Sequence, residues 1–133
     1  MFFTFRYVVN MAGLGKMIEK PLRFNQGRLA GVLHLPKDRK VEACVITCHG
    51  LLSSKNSEKY LRIAQRFCGE DMAVFRFDFR GCGESYGRME ETTLTGRIED
   101  LKAALELVAG MGFRRIGVMG SSLGGCVSIL TAV

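Results

Sequence analysis

The sequence has little of several features that mark special classes of protein. Its 133 residues include no tryptophan, two prolines and two histidines. The apolar start, residues 1–17, is too short to span a bilayer and lacks the basic start and small-residue cleavage site of a secretory signal. We therefore expect a cytoplasmic protein that does not associate with a membrane.

Basic residues exceed acidic ones, which gives a formal net charge of +6. They are scattered along the chain and form no stripe interleaved with aromatic residues, so we expect no binding to nucleic acid. Hydrophobic residues make up 47% and charged residues 24%, a balance typical of one globular domain with a substantial core.

The cysteines are odd in number and include no CxxC pair. They are Cys44, Cys48, Cys68, Cys82 and Cys126. Most lie in apolar stretches, which favours buried thiols in a reducing compartment. Only Cys48 and His49 are adjacent, so no cluster at metal-ligand spacing exists, and we expect neither a metal nor a cofactor.

Apolar periodicity predicts strands that alternate with helices. Strand patterns cover 17–25, 28–35, 41–48, 72–78 and 115–119. Helical patterns cover 57–68, 94–109 and the residues from 123 onward, and 79–93 reads as a loop. This order predicts an α/β fold, a three-layer sandwich whose mostly parallel sheet begins with an antiparallel hairpin turning at 25–27. We expect one domain over 16–133, preceded by a poorly packed extension, 1–15, with Met11 and Met17 as alternative starts.

The stretch GVMGSSLGG, residues 117–125, places two serines between a predicted strand and a predicted helix. Gly120 to Gly124 match G-x-S-x-G, in which a sharp turn exposes the middle serine, Ser122, as a nucleophile. The small residues on both sides keep side chains out of the tight turn. The Leu123 backbone N–H is then a candidate donor to an oxyanion.

The same glycines admit a second interpretation, a phosphate-binding loop. A mononucleotide loop needs GxxxxGK[ST], and no lysine follows Gly125. A dinucleotide loop needs GxGxxG early in the chain, with an acidic residue about twenty positions later. Neither spacing is present, so a nucleotide-binding α/β domain stays as the weaker alternative.

His49-Gly50-Leu51 follows the 41–48 strand, at the edge of the sheet where Ser122 is expected. The Leu51 backbone N–H is our candidate for the second oxyanion donor. His49 could instead be the general base, but a histidine in such a turn more often braces the loop through hydrogen bonds. His34 lies in a predicted hairpin strand, where a structural or exposed role is expected.

HGLLSSKNS, FRFDFRGCGES and GSSLGG, in this order, resemble the N-terminal half of an α/β-hydrolase over residues 17–133. The closer resemblance is to serine carboxylesterases of the cinnamoyl/feruloyl-esterase and monoacylglycerol-lipase type, which are serine-aminopeptidase-like hydrolases. The resemblance implies Ser122 as nucleophile and Leu51 and Leu123 as oxyanion donors. It implies that Asp78, in a loop that braces the site, is structural rather than the acid of the triad.

In that family the acid and the histidine follow the nucleophile, whereas no Asp, Glu or His follows Ser122 here. We therefore expect a truncated esterase, with a small-molecule ester or other acyl compound as substrate. The alternative is an inactive module that needs a partner chain. The 115–119 strand would form an exposed apolar edge, through which a homo-oligomer could assemble.

Overall fold

The computed structural model describes residues 6–8 and 17–133. The six strands are β1 (Arg6–Val8), β2 (Met17–Phe24), β3 (Leu29–Pro36), β4 (Ala43–Cys48), β5 (Ala73–Phe77) and β6 (Arg115–Gly120). The three α-helices are α1 (Glu58–Gly69), α2 (Leu94–Gly110) and α3 (Leu123–Ala132). The extension expected over 1–15 lies outside the described residues, apart from β1.

The strands form one sheet in the order β1-β2-β3-β5-β4-β6. The predicted hairpin of β2 and β3 pairs Phe24 with Leu29, and Asn25, Gln26 and Gly27 turn the chain with positive φ angles. β5 is antiparallel to β3, and parallel pairing is confined to β5-β4-β6. The α/β fold with an antiparallel start is confirmed. The sheet is mixed and not mostly parallel, since only two of the five strand pairings in the described residues are parallel.

The helices cover both faces of the sheet, which makes the three layers expected. α1 packs against β3 and β5, whereas α2 and α3 contact each other and lie on β4 and β6. Cys44, Ile46 and Cys48 alternate along β4 and share one core with Leu101 of α2 and Val127 of α3. The alternating apolar residues of the strands thus bury the face beneath α2 and α3.

One part of the expected helix packing is wrong. The apolar repeat that predicts the helix over 94–109 implies that its members face the core, but the first of them, Leu94, is 45% exposed. The repeat consists of Leu94, Ile98, Leu101, Leu105 and Val108. Arg97 and Asp100 occupy the buried face instead. Asp100 accepts from the Arg80 guanidinium at 2.8 Å, which offsets the cost of burying its charge.

β6 lies at the end of the sheet and pairs with β4 only. On α3 beside it, Ile129 and Leu130 are exposed. No helix in the described ranges is long and apolar enough to cross a bilayer.

Candidate active site

Three loops meet where β4, β5 and β6 end. A Cβ built on Gly50, after β4, would lie 3.6 Å from the Ser122 Cβ, after β6. The Phe79 backbone N–H, after β5, donates to His49 Nε2 at 3.1 Å. The three sequence motifs are therefore in contact, at the edge of the sheet where α/β proteins usually bind ligands.

Ser122 has the strained backbone expected of a residue in a sharp turn. Its φ is 54° and its ψ is −126°, and it precedes the first residue of α3. A non-glycine residue in such a sparsely populated region costs about 1–3 kcal/mol and persists only where its surroundings enforce it. Ser122 makes no side-chain cap to the helix, so its hydroxyl is not used to stabilise α3.

Gly120 and Gly124 enforce this turn because backbone occupies the space where their side chains would lie. A Cβ on Gly120 would lie 2.5 Å from the carbonyl carbon of Gly124. A Cβ on Gly124 would overlap the Cys48 carbonyl and lie 2.6 Å from His49 O. The two glycines therefore make room for protein backbone, which argues against the phosphate-loop interpretation.

Ser121 attaches the turn to α1 and to the end of β4. Its backbone N–H donates to Cys48 O at 3.3 Å, and the Tyr60 hydroxyl donates to the same oxygen at 2.9 Å. Because the Tyr60 hydroxyl proton is used in the bond to Cys48 O, Ser121 Oγ is the donor to the Tyr60 oxygen, at 3.1 Å. Lys59 Nζ donates to Ser121 Oγ at 2.7 Å. Sequence reasoning missed both α1 residues, since Tyr60 fitted the apolar face of the helix.

The two expected oxyanion donors belong to the residues that follow Gly50 and Ser122 in the chain. Leu51 follows Gly50, which contacts Ser122, and Leu123 is the first residue of α3. Within the described part of the chain, neither residue donates its backbone N–H to an acceptor. The first N–H groups of a helix have no intrahelical partner and carry a partial positive charge, which favours a nearby anion.

Both ring nitrogens of His49 are engaged. Nε2 accepts from Phe79 N–H, so Nδ1 carries the proton and donates to Gly50 O at 2.7 Å. The ring is buried and packs edge-on against the Phe79 ring, with centroids 5.1 Å apart. Burial lowers the pKa of His49. In this arrangement His49 braces the loop and has no free nitrogen for Ser122.

Asp78 is fully buried and holds two loops together. Its carboxylate accepts from the Lys55 backbone N–H at 2.7 Å and from Lys55 Nζ at 2.8 Å. It also accepts from the Glu84 backbone N–H at 3.0 Å. The Lys55 side chain is itself only 3% exposed. This carboxylate is occupied by the loops after β4 and β5, as a structural role requires.

A buried arginine extends this network under α1. Arg76 of β5 donates to His34 Nε2 at 2.7 Å and to the Lys55 carbonyl. Burial, with a smaller contribution from Arg76, lowers the pKa of His34 to about 3. His34 is fully buried, so it is structural and not exposed. The sequence did not predict this role of Arg76, because a single arginine within an apolar strand pattern does not indicate which residues it contacts.

The motif order and the geometry agree with the family comparison. A family model described as serine aminopeptidase, S33, matches residues 39–133. The chain belongs to this family. The resemblance to α/β-hydrolases is thereby confirmed, and the matched family is one of hydrolases. No curated protein matches the sequence.

Solved structures show the same fold. Est1E from Butyrivibrio proteoclasticus, whose structure holds ferulic acid, superposes with a TM-score of 0.75 at 22% identity, over 96% of this chain and 46% of that one. The Pyrococcus furiosus esterase Pf2001 superposes with a TM-score of 0.69 at 29% identity, over 96% of this chain and 46% of that one. An alpha-beta serine hydrolase homologue from Coxiella burnetii superposes with a TM-score of 0.73 at 26% identity, over 96% of this chain and 59% of that one. The chain spans about half the length of the structures it matches.

Proposed function

We propose that Ser122 is the nucleophile of a serine hydrolase that cleaves carboxylic esters or related acyl compounds. The observation that carries this proposal is the strained Ser122 backbone, with φ of 54°, held at the head of α3 beside Gly50. This conformation turns the residue out of the helix, where its hydroxyl meets a substrate. The esterases among the similar structures support an ester as the substrate.

In the proposed reaction, Ser122 Oγ attacks the acyl carbon and its proton passes to a general base. The carbonyl oxygen becomes an oxyanion, for which the N–H groups of Leu51 and Leu123 are the proposed donors. Collapse of the tetrahedral intermediate expels the alcohol and leaves an acyl group on Ser122. Water then releases the acid and restores the serine.

The general base comes from outside the described residues of this chain. His34 and His49 are its only histidines, and each is held at Nε2 by Arg76 or by Phe79 N–H. Asp78 is bound to Lys55 and Glu84 N–H. We therefore assign the proton transfer from Ser122 to a histidine, oriented by an acid, that lies on further chain or on a partner.

The experiment is covalent labelling with a fluorophosphonate, read by intact mass and peptide mapping, with imidazole added as an external base. We expect one adduct, on Ser122, that forms faster with imidazole and is absent from Ser122→Ala. Ser128→Ala is the matched control, because Ser128 lies in the same helix and its hydroxyl donates to Gly124 O at 2.7 Å. Circular dichroism confirms that each variant is folded. A folded chain that gives no Ser122 adduct in imidazole would overturn the assignment.

A second candidate function, a module that acts only in complex with another chain, is favoured by the sheet edge. Among the described strands β6 pairs only with β4, and Ile129 is 68% exposed on the neighbouring helix. An open edge with apolar surface beside it is a common site of strand pairing. Light scattering across a range of concentrations tests this. A dimer would support pairing between copies, and a monomer at all concentrations would count against it.

A further inference from the structure

A second site of chemical interest lies under the loop after β5, where Arg97 is buried without a counter-charge. Its side chain is 1% exposed, and the ion pairs of the described chain do not include it. Nη1 has no hydrogen-bond partner there. A guanidinium stays protonated in proteins, so this arrangement leaves a buried positive charge and an unused donor.

The sulfur of Cys82 accepts a hydrogen bond from this guanidinium. Arg97 Nη2 donates to Cys82 Sγ at 3.5 Å, and the guanidinium stacks over the Phe79 ring at 5.1 Å. Cys82 itself sits in a tight turn, in which its N–H donates to Phe79 O at 3.0 Å. The thiol is therefore fixed against a cation, and positively charged neighbours are what make cysteines reactive.

The other buried cysteines have different surroundings. Burial raises the pKa of the Cys44, Cys48 and Cys68 thiols to about 12. None of these sulfurs accepts from an arginine or a lysine in the described residues. They are expected to stay inert, because the thiolate is the reactive form. They provide internal references within one chain.

We propose that Cys82 is a site of oxidation by hydrogen peroxide and that Arg97 holds the oxidised sulfur. The sulfur attacks one peroxide oxygen, so that an S–O bond forms and the O–O bond breaks. Sulfur loses two electrons to the peroxide, and the thiol proton leaves with the second oxygen as water. The product is a sulfenic acid, the first and reversible step of cysteine oxidation.

The geometry gives the added oxygen a partner. Nη1 and Nη2 belong to one planar guanidinium, which binds two acceptor atoms side by side. Nη2 already contacts the sulfur, and Nη1 is the unused donor beside it. An oxygen on Cys82 can therefore accept a hydrogen bond from Nη1, the donor that has no partner among the described residues. Cys82 and Cys68 are both 7% exposed, so a difference between their oxidation rates reports the surroundings of the sulfur and not its exposure.

The test treats the folded chain with hydrogen peroxide and dimedone, which traps sulfenic acids, and maps the adduct at each cysteine by mass spectrometry. We expect Cys82 to be labelled faster than Cys44, Cys48 or Cys68. In Arg97→Met, which removes the charge and keeps an unbranched side chain, labelling of Cys82 should slow by about tenfold or more. Labelling of Cys126, which is exposed, should not change.

Arg97→Lys is the second variant, because it keeps a positive charge and loses the paired donors. It should label at an intermediate rate. Equal labelling of Cys82 and Cys68 in the wild-type chain would overturn the proposal, whether or not the Arg97 variants fold. So would a folded Arg97→Met variant whose Cys82 reacts as fast as wild type. Repeating the measurement in Ser122→Ala separates this outcome from the proposed hydrolase activity, since Cys82 should react unchanged.

Discussion

Gly124 of α3 packs directly on the Cys48 carbonyl of β4, and this contact holds the Ser122 turn against the sheet. We predict that Gly124→Ala lowers the free energy of unfolding by about 3 kcal/mol or more, because the new methyl group would overlap backbone that cannot rotate away. Urea denaturation followed by circular dichroism measures the change.

Gly125→Ala is the matched control for that substitution. A Cβ on Gly125 would lie 3.4 Å from its nearest neighbour, Gly120 O, which is ordinary contact. Alanine favours a helix over glycine by up to about 1 kcal/mol, so this variant should be as stable as wild type or more so. Equal destabilisation by the two substitutions would show that the Cys48 contact is not the cause.

The Tyr60 hydroxyl connects Ser121 to the end of β4. Tyr60→Phe removes only this hydroxyl and leaves the Cys48 carbonyl with one donor fewer. We expect a loss of about 1 kcal/mol in the free energy of unfolding. Tyr86→Phe, on the exposed side of the β5 loop, should have a smaller effect, and a Tyr60→Phe variant as stable as wild type would contradict the prediction.

Lys55 and Asp78 form a buried ion pair, in which neither side chain is more than 3% exposed. Asp78→Asn removes the buried counter-charge of Lys55 and leaves only the exposed carboxylate of Glu84, 3.6 Å from Lys55 Nζ, so the chain should lose about 3 kcal/mol of stability. Glu58→Gln breaks an exposed pair with Arg62 in α1 and should cost about 0.5 kcal/mol or less. Chemical denaturation of both variants gives the comparison, and similar small losses would show that the buried pair contributes little.

Acid should destabilise the chain partly through His34. Its pKa is lowered from 6.5 to about 3 by burial and by Arg76. Between these values the unfolded chain binds a proton that the folded chain does not, so the free energy of unfolding falls as the pH falls from about 6.5 to about 3.

His34→Gln tests whether His34 causes this loss of stability at low pH. The glutamine does not titrate and can still accept from Arg76, so stability should depend less on pH between 7 and 4, as measured by denaturation at each pH. His49, whose pKa burial also lowers, contributes in the same direction in both chains. A pH dependence identical to that of wild type would contradict the role of His34.

The sequence by itself determined the order of the elements and the place of the candidate site. Period-two and helical spacing located β2 to β6 and all three helices to within two residues of their ends, because apolar periodicity reflects which face is buried. Gly120 and Gly124 around Ser122 identified the turn, since only residues without large side chains fit there. β1 was not predicted, because the sequence gives Arg6–Val8 no boundary of turn residues.

Only the tertiary structure decided how the polar residues are used. Lys55, Arg76 and Arg97 look in the sequence like scattered surface charges, yet all three are buried. Their burial depends on partners far along the chain, such as Asp78 for Lys55 and His34 for Arg76. The role of His49 was open for the same reason. The local sequence pattern shows which residues are apolar. The partner of a buried charge depends on which distant segments lie next to it in the folded chain.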